Sequence, residues 1–145
     1  AVKIPAMQSE RTTEDDDAFR GRRILLAEDN ELNMEIAEFM LQSAGAEVTE
    51  ARDGREAVEL FRALPTGYFD AVLMDVMMPG LDGYQATGII RASERPDAGV
   101  PVIAMTANAF VEDRQRAREA GMTEHLPKPL DQAVLVQTLQ RWKKE

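Results

Sequence analysis

The chain has 145 residues, with 26 acids against 17 bases, a net charge of −9 and no cysteine. That length suits one domain, and the charge excludes nucleic acid as a natural direct ligand. The lack of cysteine excludes a disulfide framework, a thiolate metal site and a cysteine nucleophile. A single histidine, His125, argues against a multi-histidine metal centre. No apolar run approaches the roughly 20 residues that span a bilayer, and no stretch reads as a secretory leader.

Residues 1–21 read as a linker or the end of a preceding domain, and the chain starts with Ala1, as a fragment of a longer protein would. Gln8 to Asp17 is polar and charge-dense, with no apolar period. Residues 22–145 keep 21 acids and 14 bases, so the acidity belongs to the folded part as well. From residue 22 the pattern alternates. Ile24 to Ala27 is an apolar run too short for a helix, as a buried strand requires. Glu31 to Ala44 carries apolar residues at helical spacing and stops at Gly45. Glu47 to Ala51 is a strand, Arg55 to Leu64 a helix ending before Pro65, and Ala71 to Met74 a second buried strand. Met78-Pro79-Gly80 and Asp82-Gly83 are turn chemistry. Tyr84 to Ser93 is a helix, Val100 to Met105 a strand with Pro101 near its start, and Ala109 to Ala120 a helix closed by Gly121. Glu124 to Leu126 is a short strand, and Asp131 caps a last helix through Trp142. Five strands alternating with five helices predict an α/β fold: a doubly wound, five-stranded parallel sheet of flavodoxin-like order 2-1-3-4-5, with right-handed connections.

Ligands of such a sheet bind beyond the carboxyl ends of the strands, where the strand order reverses. Glu28, Asp29 and Asn30 follow the first strand, Asp75 ends the third, Thr106 follows the fourth, and Lys128 follows the fifth between Pro127 and Pro129. Each has a plain structural role open to it. Asp29 or Asn30 suits a helix cap, Asp75 a strand-end turn, Thr106 a strand or cap position, and Lys128 a solvated surface. Their joint convergence on one rim points to chemistry. Carboxylates crowded within about 4 Å repel by roughly 4 kcal/mol per pair at an effective dielectric near 20. A hard divalent cation such as Mg²⁺ offsets that repulsion. A cation, a lysine and a hydroxyl together suit a phosphoryl group, and one carboxylate then serves as nucleophile. No G-x-x-x-x-G-K-[ST] or G-x-G-x-x-G loop is present, and the acidic first turn repels nucleotide phosphates and disfavours a flavin.

The segments ILLAEDNELN, AVLMDVMMPGLDGYQAT, PVIAMTANAF and HLPKPL together resemble the receiver domain of two-component signalling. That resemblance covers residues 22–145. It implies that Asp75 is the phosphorylated residue, and that Glu28, Asp29, Asp75 and the backbone carbonyl of Met77 hold Mg²⁺, Glu28 through water. It implies that Thr106 and Lys128 contact the phosphoryl group, that the Lys128–Pro129 bond is cis, and that Met77 and Asn108 tune the phosphate's lifetime. His125 stands where the family usually places a switching aromatic, so Thr106 and His125 form the implied switch, with packing or solvent exposure the plain alternative for His125. The acidic pair is Glu-Asp where many relatives carry Asp-Asp.

Asn30 and Asn33, as E-D-N-x-x-N, resemble receivers of hybrid sensor histidine kinases. AVKIPA at residues 1–6 resembles the last strand of a kinase ATP-binding domain. The implied partner is a histidine-kinase dimerisation domain or a histidine phosphotransfer protein, with neither nucleic acid nor direct membrane contact. Helix 31–44 is apolar over a wide arc through Leu32, Met34, Ile36, Phe39, Met40 and Leu41, which fits such a bundle as well as a core. The implied place is cytoplasmic, on a parent chain that can be membrane-anchored. The domain would catalyse its own aspartyl phosphorylation and dephosphorylation. The alternatives are a pseudo-receiver that binds partners without phosphorylation and a small-ligand α/β domain.

Overall fold

A computed structural model of the chain describes residues 19–107 and 111–142. In chain order its elements are β1 (Arg23–Ala27), α1 (Glu31–Ser43), β2 (Glu47–Ala51), α2 (Gly54–Ala63), β3 (Ala71–Asp75), α3 (Gly83–Ala92), β4 (Val102–Thr106), α4 (Val111–Glu119), β5 (Glu124–Pro127) and α5 (Gln132–Arg141). The strands form one parallel sheet of order β2-β1-β3-β4-β5. Fold class and strand order are those expected from the alternation of short apolar runs with helical periods.

The sheet is buried on both faces, which is why β1, β3 and β4 read as near-continuous apolar runs. Leu25, Ala27, Val72, Met74, Val102 and Ala104 face a layer built with Phe61, Ala86, Ile90 and Ala117 of α2, α3 and α4. Ile24, Leu26, Leu73, Ile103 and Met105 face the other layer, with Met34 and Leu41 of α1 and Leu135 and Leu139 of α5. Each fully buried large apolar side chain contributes about 1.5–3 kcal/mol relative to exposure. Phe19, which the sequence pattern sets in the leading segment, is buried in this second layer, and its N–H donates to the Ala44 carbonyl.

Helix boundaries within the described residues differ from expectation by a residue or two, for local reasons, and the expected start of the fourth helix at Ala109 lies outside the described residues. Asn30, Asp53, Asp82 and Asp131 cap α1, α2, α3 and α5, each accepting from the backbone N–H three residues on. Asp82 and Gln85 form a reciprocal capping box, so α2 and α3 start at Gly54 and Gly83, one residue early. At the other end of α1, Ala44 is the cap and Gly45 takes φ 96°. Strand β4 begins at Val102, after Pro101: the proline carbonyl accepts from the Val72 N–H, but its nitrogen has no hydrogen to give.

A separate ion pair closes the opposite, amino-terminal end of the sheet. Arg95 Nε lies 2.9 Å from Asp97 Oδ1, and its guanidinium also donates to the carbonyls of Arg62 and Leu64. Asp97 Oδ2 accepts from the Gly67 N–H at 2.8 Å. The α2–β3 and α3–β4 connections are thereby stitched together.

Candidate functional site

The carboxyl edge of the sheet gathers Glu28, Asp75, Thr106 and Lys128 because β1, β3, β4 and β5 end there in register. Asp75 closes a strand whose every residue is buried. Its Oδ1 accepts from the Met77 N–H at 3.2 Å, and its Oδ2 lies 3.2 Å from Lys128 Nζ. Glu28 is 1% exposed. Its Oε1 lies 3.0 Å from the same ammonium, and its Oε2 accepts from the Asn30 N–H at 3.2 Å. The backbone N–H of Lys128 donates to the Thr106 carbonyl at 2.8 Å, tying the β5–α5 loop to the end of β4. The Lys128–Pro129 bond is cis. Asp29 is exposed, yet one carboxylate oxygen from each of Glu28, Asp29 and Asp75 lies within 4.8 Å of the others.

Charge is unbalanced here. Three carboxylates face one ammonium. At such separations each like pair repels by roughly 3–4 kcal/mol at an effective dielectric near 20. Burial, and then the hydrogen bond and charge of Glu28, push the Asp75 carboxyl up to about 7, while Lys128 and the Met77 N–H pull the other way. Burial alone would depress Lys128, but the carboxylates of Glu28 and Asp75 outweigh it and hold the ammonium above its usual range. The surplus negative charge and the all-oxygen donors suit a hard divalent cation, and Mg²⁺ uses only a few carboxylates while keeping several waters. The donor set therefore fits the ion that the resemblance implies.

Thr106 is buried at the end of β4, on the same edge. Met77, 74% exposed, lies in the loop directly after Asp75. His125 is not in the acidic cluster. It lines a cavity of about 190 Å³ with Arg114, Arg118 and Met122, and burial, then the Arg114 charge, hold its imidazole below the usual range, partly offset by Glu124. Asn30 is the α1 cap, while Asn33 borders a second, smaller cavity beside Lys128. Asn108 and residues 1–6 lie outside the described residues.

Sequence reasoning missed Gly83. A Cβ there would overlap the Asp75 carbonyl oxygen and the Val76 Cα, so glycine lets α3 start directly against the end of β3. Gly54 is likewise crowded by the Leu81 carbonyl. The signal was present as Asp-Gly at both helix starts, but the turn chemistry alone does not reveal which backbone approaches. Leu32, Ile36 and Phe39 are 65%, 43% and 69% exposed, so that part of the wide apolar arc of α1 is surface, not core.

Comparison with known proteins agrees with this architecture. The model of the response regulator receiver domain family matches residues 24–140, and the chain belongs to that family. It is 38% identical over 125 residues to the sensor protein GacS of Pseudomonas syringae pv. syringae, covering 85% of this chain and 14% of that protein. The chain thus spans about a seventh of this curated relative. Among solved structures, the receiver domain of sensor histidine kinase PA1611 from Pseudomonas aeruginosa PAO1 is 46% identical, covering 83% of this chain and 96% of that one, with a TM-score of 0.76. That structure has a magnesium ion coordinated in its active-site cleft. The receiver domain of the response regulator Ssk1, solved with the histidine phosphotransfer protein Ypd1 of Saccharomyces cerevisiae, matches at 26% identity and TM-score 0.75 over 86% of this chain and 90% of that one.

Proposed function

We propose that the chain is the phosphoacceptor receiver of a phosphorelay, part of a hybrid sensor histidine kinase, in which Asp75 takes a phosphoryl group from a partner phosphohistidine. The observation that carries this is Lys128 Nζ set between Glu28 and Asp75, at 3.0 and 3.2 Å, beside three clustered carboxylates. Glu28, Asp29, Asp75 and the Met77 carbonyl would hold Mg²⁺, which when bound neutralises charge on the transferring group. Asp75 Oδ attacks phosphorus, the O–P bond forms and the P–N bond breaks. Lys128 is near enough to Asp75 to exchange its carboxylate contact for a phosphoryl oxygen. Thr106, at the end of the neighbouring strand, offers the hydroxyl that bonds the product, and its movement would reach the His125 face through β4 and β5. Water later hydrolyses the acyl phosphate.

The donor would be a histidine-bearing helical bundle. The exposed Leu32, Ile36 and Phe39 beside the acidic rim support its docking on α1, and the PA1611 and Ypd1–Ssk1 relatives support both the magnesium and the partner class. Residues 1–21 would link the receiver at 22–145 to an upstream kinase part. The reading puts the domain in the cytoplasm. Among the described residues no helix is long and apolar enough to cross a membrane.

Intact mass after incubation with acetyl phosphate and Mg²⁺ tests the reading. One phosphate adduct is expected, abolished by EDTA and by Asp75→Asn. No adduct, with beryllofluoride also failing to bind, would overturn it in favour of a pseudo-receiver that only binds partners.

A further inference from the structure

Beside the acidic cluster lies a cavity of about 70 Å³, bordered by Glu28 and Lys128 together with Asn33, Ile36, Met105, Pro129 and Leu130. Its lining combines two charged groups, one amide and an apolar remainder. On this measure a water occupies roughly 10–15 Å³, so the space takes about five or six water-sized groups, the size of a five-membered ring. Asn33 and Ile36 stand one turn apart on α1, at i and i+3, and so share a face. The backbone N–H of Asn33 is committed to the Asn30 cap. Its half-buried carboxamide has no hydrogen-bond partner among the described residues. Asparagine is also a poor helix former in this first turn, where Glu or Gln would support the cap. Helix stability does not explain it.

We infer that this slot receives the imidazole ring of the phosphohistidine donor, with the Asn33 carboxamide oxygen accepting from the ring N–H remote from phosphorus and Ile36, Pro129 and Leu130 packing the ring. The inference rests on the phosphoacceptor reading and adds a leaving-group subsite to it. The chemistry balances. In the donor with its remote ring nitrogen protonated, Asp75 Oδ forms the O–P bond, the electron pair of the P–N bond returns to the ring nitrogen, and neutral imidazole departs. A hydrogen bond that holds the remote N–H favours that leaving form. Asn33 is thus a positioning residue for the donor, and it should matter to donors that carry a ring.

The test compares N-phosphoimidazole, phosphoramidate and acetyl phosphate as Mg²⁺-dependent small donors to the wild-type chain, Asn33→Ala and Ile36→Ala. The readout is the ratio of kcat/KM for N-phosphoimidazole to that for phosphoramidate, which also has a P–N bond but no ring. The ratio should fall about tenfold in Asn33→Ala, the size expected for one hydrogen bond to a charged group, and severalfold in Ile36→Ala. Asn33→Gln should recover part of it. An unchanged ratio in both alanine variants overturns the inference. So does a proportional fall with all three donors, which would place Asn33 at the acidic cluster and not at the ring. Absence of any adduct from acetyl phosphate in the wild type is a different failure, because it overturns the phosphoacceptor reading itself.

Discussion

The two charge clusters at opposite ends of the sheet are built on opposite rules. At the amino-terminal end of the sheet, Arg95 and Asp97 match one to one, and the remaining donors and acceptors are taken by the carbonyls of Arg62 and Leu64 and the N–H of Gly67. Arg95, first through its hydrogen bond, holds the Asp97 carboxyl below its ordinary range. At the carboxyl end, Glu28, Asp29 and Asp75 share one ammonium, and Asp75 is pushed up to about 7. A structural ion pair is finished by its own neighbours. The cluster proposed to receive a cation and a phosphoryl group has no such balance among its own side chains, the pattern expected of a site that works on a charged ligand.

The largest effect should follow from disturbing the backbone under the unbalanced cluster. Gly83→Ala drives a Cβ into the Asp75 carbonyl oxygen and the Val76 Cα, so α3 must shift. A loss of about 1–3 kcal/mol in urea unfolding is expected, with a marked drop in phosphorylation by acetyl phosphate. Unchanged rates would show that Asp75 does not depend on this approach.

Paired substitutions then give opposite signs. Asp97→Asn breaks the matched pair and should lower Tm by several degrees. Asp75→Asn removes a repelling carboxylate and should raise Tm in EDTA. Millimolar Mg²⁺ should raise the wild-type Tm, since a ligand of the folded state stabilises it, and should leave Asp75→Asn nearly unmoved. A wild-type Tm indifferent to Mg²⁺ would break the comparison.

The pH windows also diverge. Asp75 carries a raised pKa, so its stabilising contribution is full below its unfolded pKa near 3.8 and is lost as pH rises through about 7. Chelated wild-type protein should lose Tm across that window more steeply than Asp75→Asn. Asp97 carries a lowered pKa, so its contribution is present above 3.8 and is lost as pH falls through its folded value. Thermal scans of Asp97→Asn should differ from wild type mainly above that range. The smallest effect belongs to Gly88, a helical glycine of α3 with open space around its Cβ position. Gly88→Ala should stabilise by about 0.5–1 kcal/mol without touching either cluster.

Much of this was legible in the sequence. The short apolar runs at Ile24, Ala71 and Val102 marked strands covered on both faces, and their alternation with helical periods implied the parallel sheet and its switch point. Asp75 and Lys128 could be named because strand ends converge in such a sheet, whatever the details. Capping residues such as Asp82 were visible as types, and the ±1 shifts of the helices were settled by which side chain reached which N–H. Position and chemical type are local properties, and the sequence by itself determined them.

Tertiary structure decided what depends on distance and enclosure. Arg95 and Asp97 look like surface charges in the chain, and only the folding of the α2–β3 connection against them buries Asp97 and gives the pair its backbone partners. In the chain His125 is open to a switch role or to plain packing, and only the fold sets it in a cavity beside Arg114 and Arg118. The wide apolar arc of α1 divides into a core face at Met34, Ala37 and Leu41 and an exposed one at Leu32, Ile36 and Phe39 only once β1 and α5 have covered one side. The closeness of three carboxylates to one ammonium, which sets the charge balance of the site, is a sum over groups far apart in sequence. Coulomb interaction and desolvation act through space, so that balance belongs to the fold.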